Sequence, residues 1–387
     1  MPDSNKVELK KGFKDVYFDR TTTSQISSKP GKLSYRGFNI DDLAEHSTFE
    51  ETSSLLLYGH LPTASELDAV DAKLKCYRAL PDEVKQIITL MKRQPPMDVL
   101  RTCVSVMGMS DADDMSTEPK DIAEKGLRLT AAISTIVATH ARLRNGLQVV
   151  EPDISLGHAA NFLKMLRGEL PSQEDARLID KDLILHAEHG ANASTFVARI
   201  AASTRADFYS AITAAIATLK GPRHGGAAEG AMKMAQEVGT VENAENYVNS
   251  LLEKGERVMG FGHAVYRDVD PRSRHLRTDA KELGERVGQP KWYSIIEAVT
   301  ETKAMKRRAR LGLNPNVDLW SGAIYSLLGI PDDLFVPIFA MGRMPGWTAH
   351  TMEQLSTSDI LRPRLLYSGP EDQKYSPIEE RVGTETS

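Results

Sequence analysis

Two histidines stand in short glycine-rich turns, where an imidazole could take part in acid–base chemistry. His224 lies in the segment GPRHGG at 221–226, and His263 ends the segment GFGH at 260–263. Glycines in such turns allow the backbone to approach a ligand closely. The helix that we expect after residue 226 would favour a negative or developing negative charge near its first turn. A plain glycine-rich turn explains the segment around His224 about equally well when it is considered alone.

Asp318 stands at the expected start of an apolar helix, directly after Asn316 and Val317. Taken alone, this position favours a helix N-cap. Its apolar neighbours would raise the pKa of the carboxyl group by desolvation and make it a better base, whereas the helix N-terminus would lower that pKa. The sequence leaves the net direction of this shift open.

His186 and His189 form an H-x-x-H pair within a segment, 172–189, that we expect to be helical. The spacing would place both imidazoles on one helix face, which raises the alternative of a metallohydrolase. The pattern is not the H-E-x-x-H of zinc proteases, and no third ligand stands out. We therefore expect no metal site, and a buried histidine that hydrogen-bonds its neighbours is the simpler interpretation.

Several arginines occur in apolar or turn contexts in the second half of the chain. Arg343 is the only residue with a fixed charge between 334 and 352, and a buried arginine needs an anionic partner. Arg267 and Arg272 follow the GFGH segment, where surface ion pairing would also explain them, and Arg362 follows an apolar pair. Because guanidinium groups are well shaped to clamp carboxylates or phosphates, the set predicts a small ligand with more than one carboxylate.

Composition excludes several classes of protein. The 387 residues carry 48 Lys and Arg against 53 Asp and Glu, a formal charge of −5, which argues against nucleic-acid binding through a basic surface. Two cysteines cannot form a disulfide framework. No run of about 18 apolar residues is present, so no membrane span is expected. Nothing near the N-terminus is typical of a signal or transit peptide. We therefore expect a cytoplasmic protein.

The pattern of apolar residues predicts a mostly α-helical protein with a small N-terminal β-hairpin. β-Forming residues are concentrated at 15–19 and 21–26, and Pro30 and Gly31 form a turn before 32–35. Beyond that hairpin, apolar residues recur at helical spacing. We expect helices at 40–43, 52–59, 64–80, 82–93, 97–107, 121–143, 157–166, 172–189, 208–219, 227–238, 243–257 and 279–286.

Two glycine–proline segments, at 221–222 and 329–331, mark the best domain boundaries. We expect residues 1–222 and 330–387 to form a large domain and residues 223–329 to form a small domain. The two chain crossings would then lie close together, as in proteins whose domains close over a ligand by hinge motion.

In order along the chain, three segments resemble the catalytic segments of the citrate synthase family. They are GPxHGG at 221–226, GFGH at 260–263 and NVD at 316–318. Further matches cover most of the chain, namely LSYRG at 33–37, LPT at 61–63, NASTF at 192–196, GWxAH at 346–350 and RPR at 362–364. The resemblance implies a mostly helical, two-domain homodimer whose small domain closes over the active site.

The resemblance also implies a role for each matching residue. Asp318 corresponds to the base that removes a methyl proton from acetyl-CoA. His224 corresponds to the group that hydrogen-bonds the thioester oxygen as the enol or enolate forms, and His263 to the acid that polarises and protonates the carbonyl of oxaloacetate. The remaining residues correspond to ligand contacts: His189, Arg272 and Arg343 for oxaloacetate, Arg362 for the substrate of the neighbouring subunit, and Arg267 for a CoA phosphate.

The implied reaction joins acetyl-CoA to oxaloacetate and hydrolyses the citryl thioester, without a metal or redox cofactor. 2-Methylcitrate synthase, which uses propionyl-CoA, shares these motifs and is the close alternative, because one extra methylene is worth only about 1–3 kcal/mol of discrimination. A non-catalytic helical scaffold or acyl-CoA-binding module is the distant alternative, and it would not require His224, His263 and Asp318 together. We expect a dimer without NADH inhibition, because the N-terminal extension of hexameric members is not evident.

Overall fold

The computed structural model describes residues 8–13, 16–111 and 115–381 of the chain. This part forms seventeen α-helices and one three-stranded antiparallel sheet, which confirms the predicted mostly α-helical class. The helices are α1 (Ile40–His46), α2 (Phe49–Tyr58), α3 (Ala64–Cys76), α4 (Asp82–Leu90), α5 (Pro96–Met109), α6 (Pro119–Arg144), α7 (His158–Arg167), α8 (Gln173–His186), α9 (Ala193–Ser203), α10 (Phe208–Leu219), α11 (Ala227–Val238), α12 (Ala244–Glu253), α13 (Pro271–Arg286), α14 (Lys291–Glu301), α15 (Lys303–Arg310), α16 (Asp318–Leu327) and α17 (Phe335–Leu355).

The small sheet lies in the N-terminal segment for which a hairpin is predicted. β1 (Ser24–Ser27) pairs with β2 (Lys32–Tyr35), and β2 pairs with β3 (Phe38–Asn39), all antiparallel. The hairpin and its turn are therefore confirmed, with a short third strand added. The predicted strand at 15–19 is wrong over 16–19, where the chain is exposed and forms no strand. The first residue of that segment lies outside the described part. β-Forming residues do not make a strand without a partner to pair with.

Helix starts follow local side-chain hydrogen bonds. At the start of α3 the hydroxyl of Thr63 accepts the N–H of Glu66, and the Glu66 carboxylate accepts the N–H of Thr63, which is a capping box. At the start of α9 the side chain of Asn192 accepts the N–H of Thr195. These polar residues fix where each helix begins, and α9 consequently starts next to the predicted site.

Helix α17 runs through the main cluster of buried apolar residues and is buried along nearly its whole length. It packs against α6, α8 and α9. Small residues allow this close packing: a Cβ atom at Gly126 of α6 would lie 2.3 Å from Cγ2 of Thr348 in α17. The helix continues through Pro345. Neither α17 nor any other helix of the described residues combines the length and the apolar character that a membrane span requires.

Helix α16 packs against α11, α13 and α14 and buries Trp320 completely. All of these helices belong to the predicted small domain, 223–329, whose boundaries stay a prediction. The contacts within the chain define two units. Residues 21–360 contain the sheet and every α-helix of the described residues. The other unit comprises 1–20 and 361–387, and its described residues contain two short 3-10 turns, Lys11–Phe13 and Ile378–Glu380.

Candidate active site

The loops that carry the GFGH and NVD segments pair with each other. The N–H of Gly262 donates to the carbonyl of Asn314 across 2.8 Å, and the N–H of Asn316 donates to the carbonyl of Gly260 across 3.0 Å. Gly260 has a φ of 78°, and a Cβ atom there would lie between 2.5 and 2.9 Å from three atoms of Leu319. Only glycine fits this position without a shift of the chain. The pairing therefore fixes both segments against the first turn of α16.

His263 is held in one neutral tautomer. Its Nδ1 atom accepts hydrogen bonds from the backbone N–H groups of Val265, at 3.0 Å, and Tyr266, at 3.2 Å. Because a backbone N–H can only donate, Nδ1 carries no proton, and the neutral ring keeps its proton on Nε2. Burial lowers the pKa of His263 to about 4, and the charge of Arg272 adds to this effect. At neutral pH the ring therefore presents an Nε2–H donor.

His189 lies beside His263 and not beside His186. Helix α8 ends at His186, so His189 follows in the next turn, and the prediction that both imidazoles share one helix face is wrong. The Nδ1 atom of His186 lies 2.9 Å from the backbone carbonyl oxygen of Asp182. The ring centroid of His189 is 4.8 Å from that of His263, and its Nε2 is 3.1 Å from the hydroxyl of Tyr266. The two histidines of the H-x-x-H pair therefore have different neighbours.

His224 is held in the opposite tautomer to that of His263. It lies in the turn between α10 and α11, and its Nε2 faces the first turn of α9. The backbone N–H of Ser194 points at Nε2 across 3.3 Å, and the Ser194 hydroxyl lies 2.8 Å from the same atom. Since Nε2 accepts from a backbone N–H, the neutral ring carries its proton on Nδ1. Burial, together with the charge of Arg343, lowers the pKa of His224 to about 4.

Asp318 is the first residue of α16, and Val317 occupies the N-cap position. The N-cap interpretation of Asp318 is therefore wrong. The backbone N–H of Asp318 donates to the side-chain oxygen of Asn316 across 3.1 Å. The residue is partly exposed, but within the described residues its Oδ1 atom is shielded from water and has no hydrogen-bond partner. Burial raises the pKa of Asp318 and outweighs the lowering by His186 and the arginines nearby. Desolvation thus decides the direction of the pKa shift at Asp318, which the sequence leaves open.

Two buried arginines lie among these groups. Arg272, in the first turn of α13, forms a two-point ion pair with Asp270, in which Nε lies 3.0 Å from Oδ1 and Nη2 lies 2.7 Å from Oδ2. Arg343, in α17, donates from Nε to the carbonyl oxygen of His186 across 2.6 Å and lies over the ring of Phe339, 4.7 Å from its centroid. Burial lowers the pKa of Arg343 to about 10. Arg272 is thus held by a carboxylate, whereas Arg343 is held by a carbonyl group and an aromatic ring.

The positive charges of Arg272 and Arg343 act on the three predicted acid–base residues and on the predicted histidine ligand of oxaloacetate. One or both guanidinium groups lower the pKa of each histidine and oppose the rise at the aspartate. These residues are His189, His224, His263 and Asp318. The structure therefore brings the four residues and both arginines together, although they are distant along the chain.

Arg267 and Arg362 differ in their placement. Arg267 is exposed and donates to the carbonyl oxygens of His263, at 2.9 Å, and Tyr266, at 3.0 Å, which holds it beside the GFGH segment. Arg362 is exposed and belongs to the unit formed by residues 1–20 and 361–387. Its contact with a neighbouring subunit's site stays a prediction.

Three residues that contact this cluster are missed by the sequence reasoning: Ser194, Tyr266 and Asp270. Asp270 has a sequence signal, because an aspartate directly before a proline at a helix start is a typical N-cap, and its side chain indeed accepts the N–H of Arg272 at 3.1 Å. Tyr266 and Ser194 have no such signal. Tyr266 contacts His189, which lies 77 residues away along the chain, and Ser194 contacts His224, which lies 30 residues away.

A separate cavity of about 420 Å³ lies among α2, α3, α7 and α8. Two ion pairs lie in its lining: Lys75 lies 2.5 Å from Asp71, and Arg177 lies 2.7 Å from Asp180. None of the predicted site residues lines it. Within the described residues, no group of three or more His, Cys, Asp or Glu side chains is arranged to hold a metal ion.

The cluster around Arg272 and Arg343 combines three chemical capacities. Two neutral imidazoles present N–H donors whose tautomers the backbone fixes, a shielded carboxyl group has a raised pKa, and the guanidinium groups suit an anionic ligand. A base beside fixed donors is the arrangement needed to remove a proton next to a carbonyl group while the oxygen of the developing enolate is stabilised.

Comparisons with known proteins agree with this chemistry. The family model described as "Citrate synthase, C-terminal domain" matches residues 12–364. Citrate synthase 2 of Bacillus subtilis is 45% identical over 93% of this chain and 97% of its own. 2-Methylcitrate synthase 1 of Corynebacterium glutamicum is 39% identical over 97% of this chain and 99% of its own. The citrate synthase of Thermoplasma acidophilum, solved in a ternary complex with carboxymethyl coenzyme A and oxaloacetate, superimposes with a TM-score of 0.92 at 32% identity and covers 97% of this chain and 100% of its own.

Fold, cluster and relatives together define an enzyme of the transferase class, an acyltransferase. The chain belongs to the citrate synthase family.

Proposed function

We propose that the protein condenses acetyl-CoA with oxaloacetate and hydrolyses the resulting citryl-CoA to citrate and CoA. The observation that carries this proposal is the pair of opposite tautomers at His224 and His263, set beside a carboxyl group of Asp318 that has a raised pKa. One donor for each of two carbonyl oxygens and one base are what this condensation requires.

The first step forms the nucleophile. Asp318 takes a methyl proton from acetyl-CoA, and the C–H electron pair moves toward the thioester oxygen. The proton on Nδ1 of His224 hydrogen-bonds that oxygen as its negative charge develops. Because a thioester α-proton is a weak acid, base and donor must act in the same step. The low pKa of His224, about 4, keeps the ring neutral, so it donates a hydrogen bond without holding the extra proton of an imidazolium.

The second step joins the two substrates. The enolate carbon attacks the carbonyl carbon of oxaloacetate, a carbon–carbon bond forms, and the carbonyl oxygen takes the proton from Nε2 of His263. Water then attacks the thioester carbon and the C–S bond breaks. One proton of the water leaves with CoA as the thiol, and the new carboxyl group releases the other to solvent. The proton that Asp318 took from the methyl group replaces the one that His263 gave up, so both groups return to their starting states. His189, Arg272 and Arg343 bind oxaloacetate, whose carboxylates match the guanidinium groups. The pairing of Arg272 with Asp270 fixes its orientation before the substrate arrives.

The remaining parts of the proposal concern assembly and access. Residues 223–329 form a small domain that closes over the site and shields citryl-CoA, while 1–222 and 330–387 form the large domain. Arg267 contacts a CoA phosphate. The enzyme works as a homodimer in the cytoplasm, Arg362 of each subunit reaches the site of the other, and neither metal nor redox cofactor is needed. The ternary complex of the Thermoplasma relative, which holds a CoA derivative and oxaloacetate, supports this pair of ligands.

A 2-methylcitrate synthase activity is the second candidate, and the Corynebacterium relative of that name is the observation in its favour. The test measures free CoA thiol released from acetyl-CoA and from propionyl-CoA, each with oxaloacetate, and compares kcat/KM. We expect a higher kcat/KM with acetyl-CoA. A higher value with propionyl-CoA would assign the second activity, and no thiol release with either would remove both.

A further inference from the structure

Tyr266 contacts both histidines of the proposed oxaloacetate site. Its backbone N–H donates to Nδ1 of His263 across 3.2 Å, and its hydroxyl oxygen lies 3.1 Å from Nε2 of His189. The three rings pack against one another: the centroid of Tyr266 lies 4.7 Å from that of His263 and 5.4 Å from that of His189, and the two histidine centroids are 4.8 Å apart. The main chain of Tyr266 thus fixes one imidazole, while its side chain contacts the other.

The main chain of Tyr266 is held independently of its hydroxyl group. The guanidinium group of Arg267 donates to the carbonyl oxygens of His263, at 2.9 Å, and of Tyr266, at 3.0 Å. The backbone N–H of Arg267 donates to the carbonyl oxygen of Ser28 across 3.4 Å. Loss of the hydroxyl would therefore leave the turn after His263 in place, and the contact with Nε2 of His189 is the one that would change.

The hydrogen bond between Tyr266 and His189 has a definite direction. A phenol hydroxyl can donate or accept, but Tyr266 is buried, and among the described residues its hydroxyl has only Nε2 of His189 as a partner. If Nε2 carried a proton, the hydroxyl would accept that hydrogen bond and its own O–H would stay buried without an acceptor, which costs free energy. The hydroxyl of Tyr266 therefore donates, and Nε2 of His189 accepts.

A lone pair on Nε2 places the proton of His189 on Nδ1. Burial and the charge of Arg272 lower the pKa of His189 well below its usual range, which agrees with a neutral ring that carries a single proton. Oxaloacetate offers only hydrogen-bond acceptors at neutral pH, namely its carboxylate oxygens and its carbonyl oxygen. An imidazole that binds it must therefore present an N–H group, and in this tautomer Nδ1 supplies one.

We propose that Tyr266 is a positioning residue for oxaloacetate, whose hydroxyl donates to Nε2 of His189 and so keeps the proton of that ring on Nδ1 for the substrate. His224 and His263 have their tautomers fixed by backbone N–H groups, whereas His189 depends on a side-chain hydroxyl. The inference rests on the proposed function, because it takes His189 as an oxaloacetate contact. It assigns no contact with substrate to Tyr266 itself.

The first test is Tyr266→Phe in the full-length enzyme, with oxaloacetate binding measured by calorimetry. This variant keeps the ring and the main chain but loses the hydroxyl. Nothing then holds the proton on Nδ1 of His189, and a lone pair on that atom would repel the substrate carboxylate. We expect oxaloacetate to bind about tenfold more weakly. The kcat at saturating oxaloacetate should change less than about threefold, because His189 acts in binding and not in proton transfer.

A double-mutant cycle separates this role from a merely structural one. The amide nitrogen of asparagine is as many bonds from the main chain as Nδ1 of histidine, and its N–H groups do not depend on a tautomer. In the background of His189→Asn, the further change Tyr266→Phe should therefore alter the Kd for oxaloacetate less than about twofold. A merely structural role of the hydroxyl predicts the same tenfold loss in both backgrounds.

Tyr209→Phe is the matched control. Tyr209 is as buried as Tyr266, and its hydroxyl donates to Oδ2 of Asp111 across 2.8 Å, away from the proposed site. This variant also removes one hydrogen bond of a buried tyrosine, but its oxaloacetate affinity should equal that of the wild type. A loss equal to that of Tyr266→Phe would assign the effect to general destabilisation and overturn the proposed role.

Nitrogen-15 NMR of histidine-labelled enzyme reads the tautomer directly and needs no substrate. The signals that disappear in His189→Asn identify His189. In the wild type at pH 7, Nδ1 of His189 should be protonated and Nε2 should not. In Tyr266→Phe, protonated Nε2 should become detectable, because its hydrogen-bond donor is gone.

The possible outcomes separate the two proposals. If the wild type binds no oxaloacetate and releases no CoA, the proposed function is wrong, whatever the tautomer of His189. If the wild type binds oxaloacetate but Tyr266→Phe binds it equally well, the role of Tyr266 is wrong. A wild-type His189 that is protonated on Nε2, or a tautomer that Tyr266→Phe leaves unchanged, would overturn that role by itself.

Discussion

The backbone N–H of Ser194 points at Nε2 of His224 across 3.3 Å and thereby fixes which nitrogen of that imidazole carries the proton. The Ser194 hydroxyl lies closer, at 2.8 Å, but it can donate or accept, and it is itself the acceptor for Nε1–H of Trp347 at 3.1 Å. The tautomer of His224 therefore depends on the main chain of α9, which the Asn192 cap holds in place. Two variants separate the main-chain contribution from that of the side chain.

The first prediction concerns the donor to the thioester oxygen. We expect His224→Gln to lower kcat with acetyl-CoA by about 10²–10³, which is the usual value of one donor at a developing oxyanion. Oxaloacetate affinity should change little, because His224 acts on the other substrate. Ser194→Ala is the matched variant: it keeps the backbone N–H, so it should cost less than about tenfold. Steady-state kinetics and calorimetry measure both effects, and equal losses in the two variants would argue against main-chain control of the tautomer.

The second prediction concerns the base. Asp318→Asn keeps the size of the side chain but cannot accept the methyl proton, so kcat should fall by about 10²–10⁴. Oxaloacetate should still bind, since the arginines and His189 are untouched. The measurement pairs thiol release with calorimetry of oxaloacetate. A variant that turns over at the wild-type rate would exclude Asp318 as the base.

The third prediction is the acid side of the pH profile. The base must be ionised to accept a proton, and burial raises the pKa of Asp318. On acidification kcat/KM should therefore fall at a pH above the value of about 3.9 that an exposed aspartate would give. His224 and His263, with pKa values of about 4, stay neutral near pH 6–7 and add no loss there. An acid limb at or below the exposed-aspartate value would contradict the desolvation of Asp318.

The fourth prediction separates the two buried arginines. Arg272→Leu leaves the buried Asp270 without its partner and should lower the free energy of unfolding by about 3–5 kcal/mol. Arg343→Leu removes a guanidinium whose Nε–H donates to a backbone carbonyl oxygen, so its main effect should be weaker oxaloacetate binding. Urea denaturation gives the first quantity and calorimetry the second. Unchanged oxaloacetate affinity in Arg343→Leu would contradict the proposed contact.

The site residues that the sequence singles out, and that the structure brings together, are those whose local chain carries the signal. His224 and His263 stand out because glycines surround them, and Arg343 stands out because 334–352 holds no other fixed charge. The resemblance then connects segments that lie far apart along the chain, and the structure indeed brings them together.

The residues that the sequence does not predict depend on contacts between distant segments. The end of α8 at His186 separates the H-x-x-H pair, and no local breaker marks that end before Gly190. The rise in the pKa of Asp318 depends on burial, which local sequence cannot give. The contact between Tyr266 and His189 joins residues 77 positions apart.

The last prediction concerns the glycine that joins the two catalytic loops. Gly260 combines a φ of 78° with close contact to Leu319 in α16, so Gly260→Ala adds backbone strain and forces either the GFGH loop or the start of α16 to move. We expect a loss of unfolding free energy greater than about 2 kcal/mol and a fall in kcat, because such a movement separates His263 from Asp318. Gly255→Ala is the matched control: its φ is 71°, but nothing lies within 4 Å of the added Cβ. It should cost only the backbone strain of about 1–2 kcal/mol and leave kcat unchanged. Equal kcat values in the two variants, measured by thiol release on folded protein, would show that the contact with Leu319 does not hold the catalytic loops together.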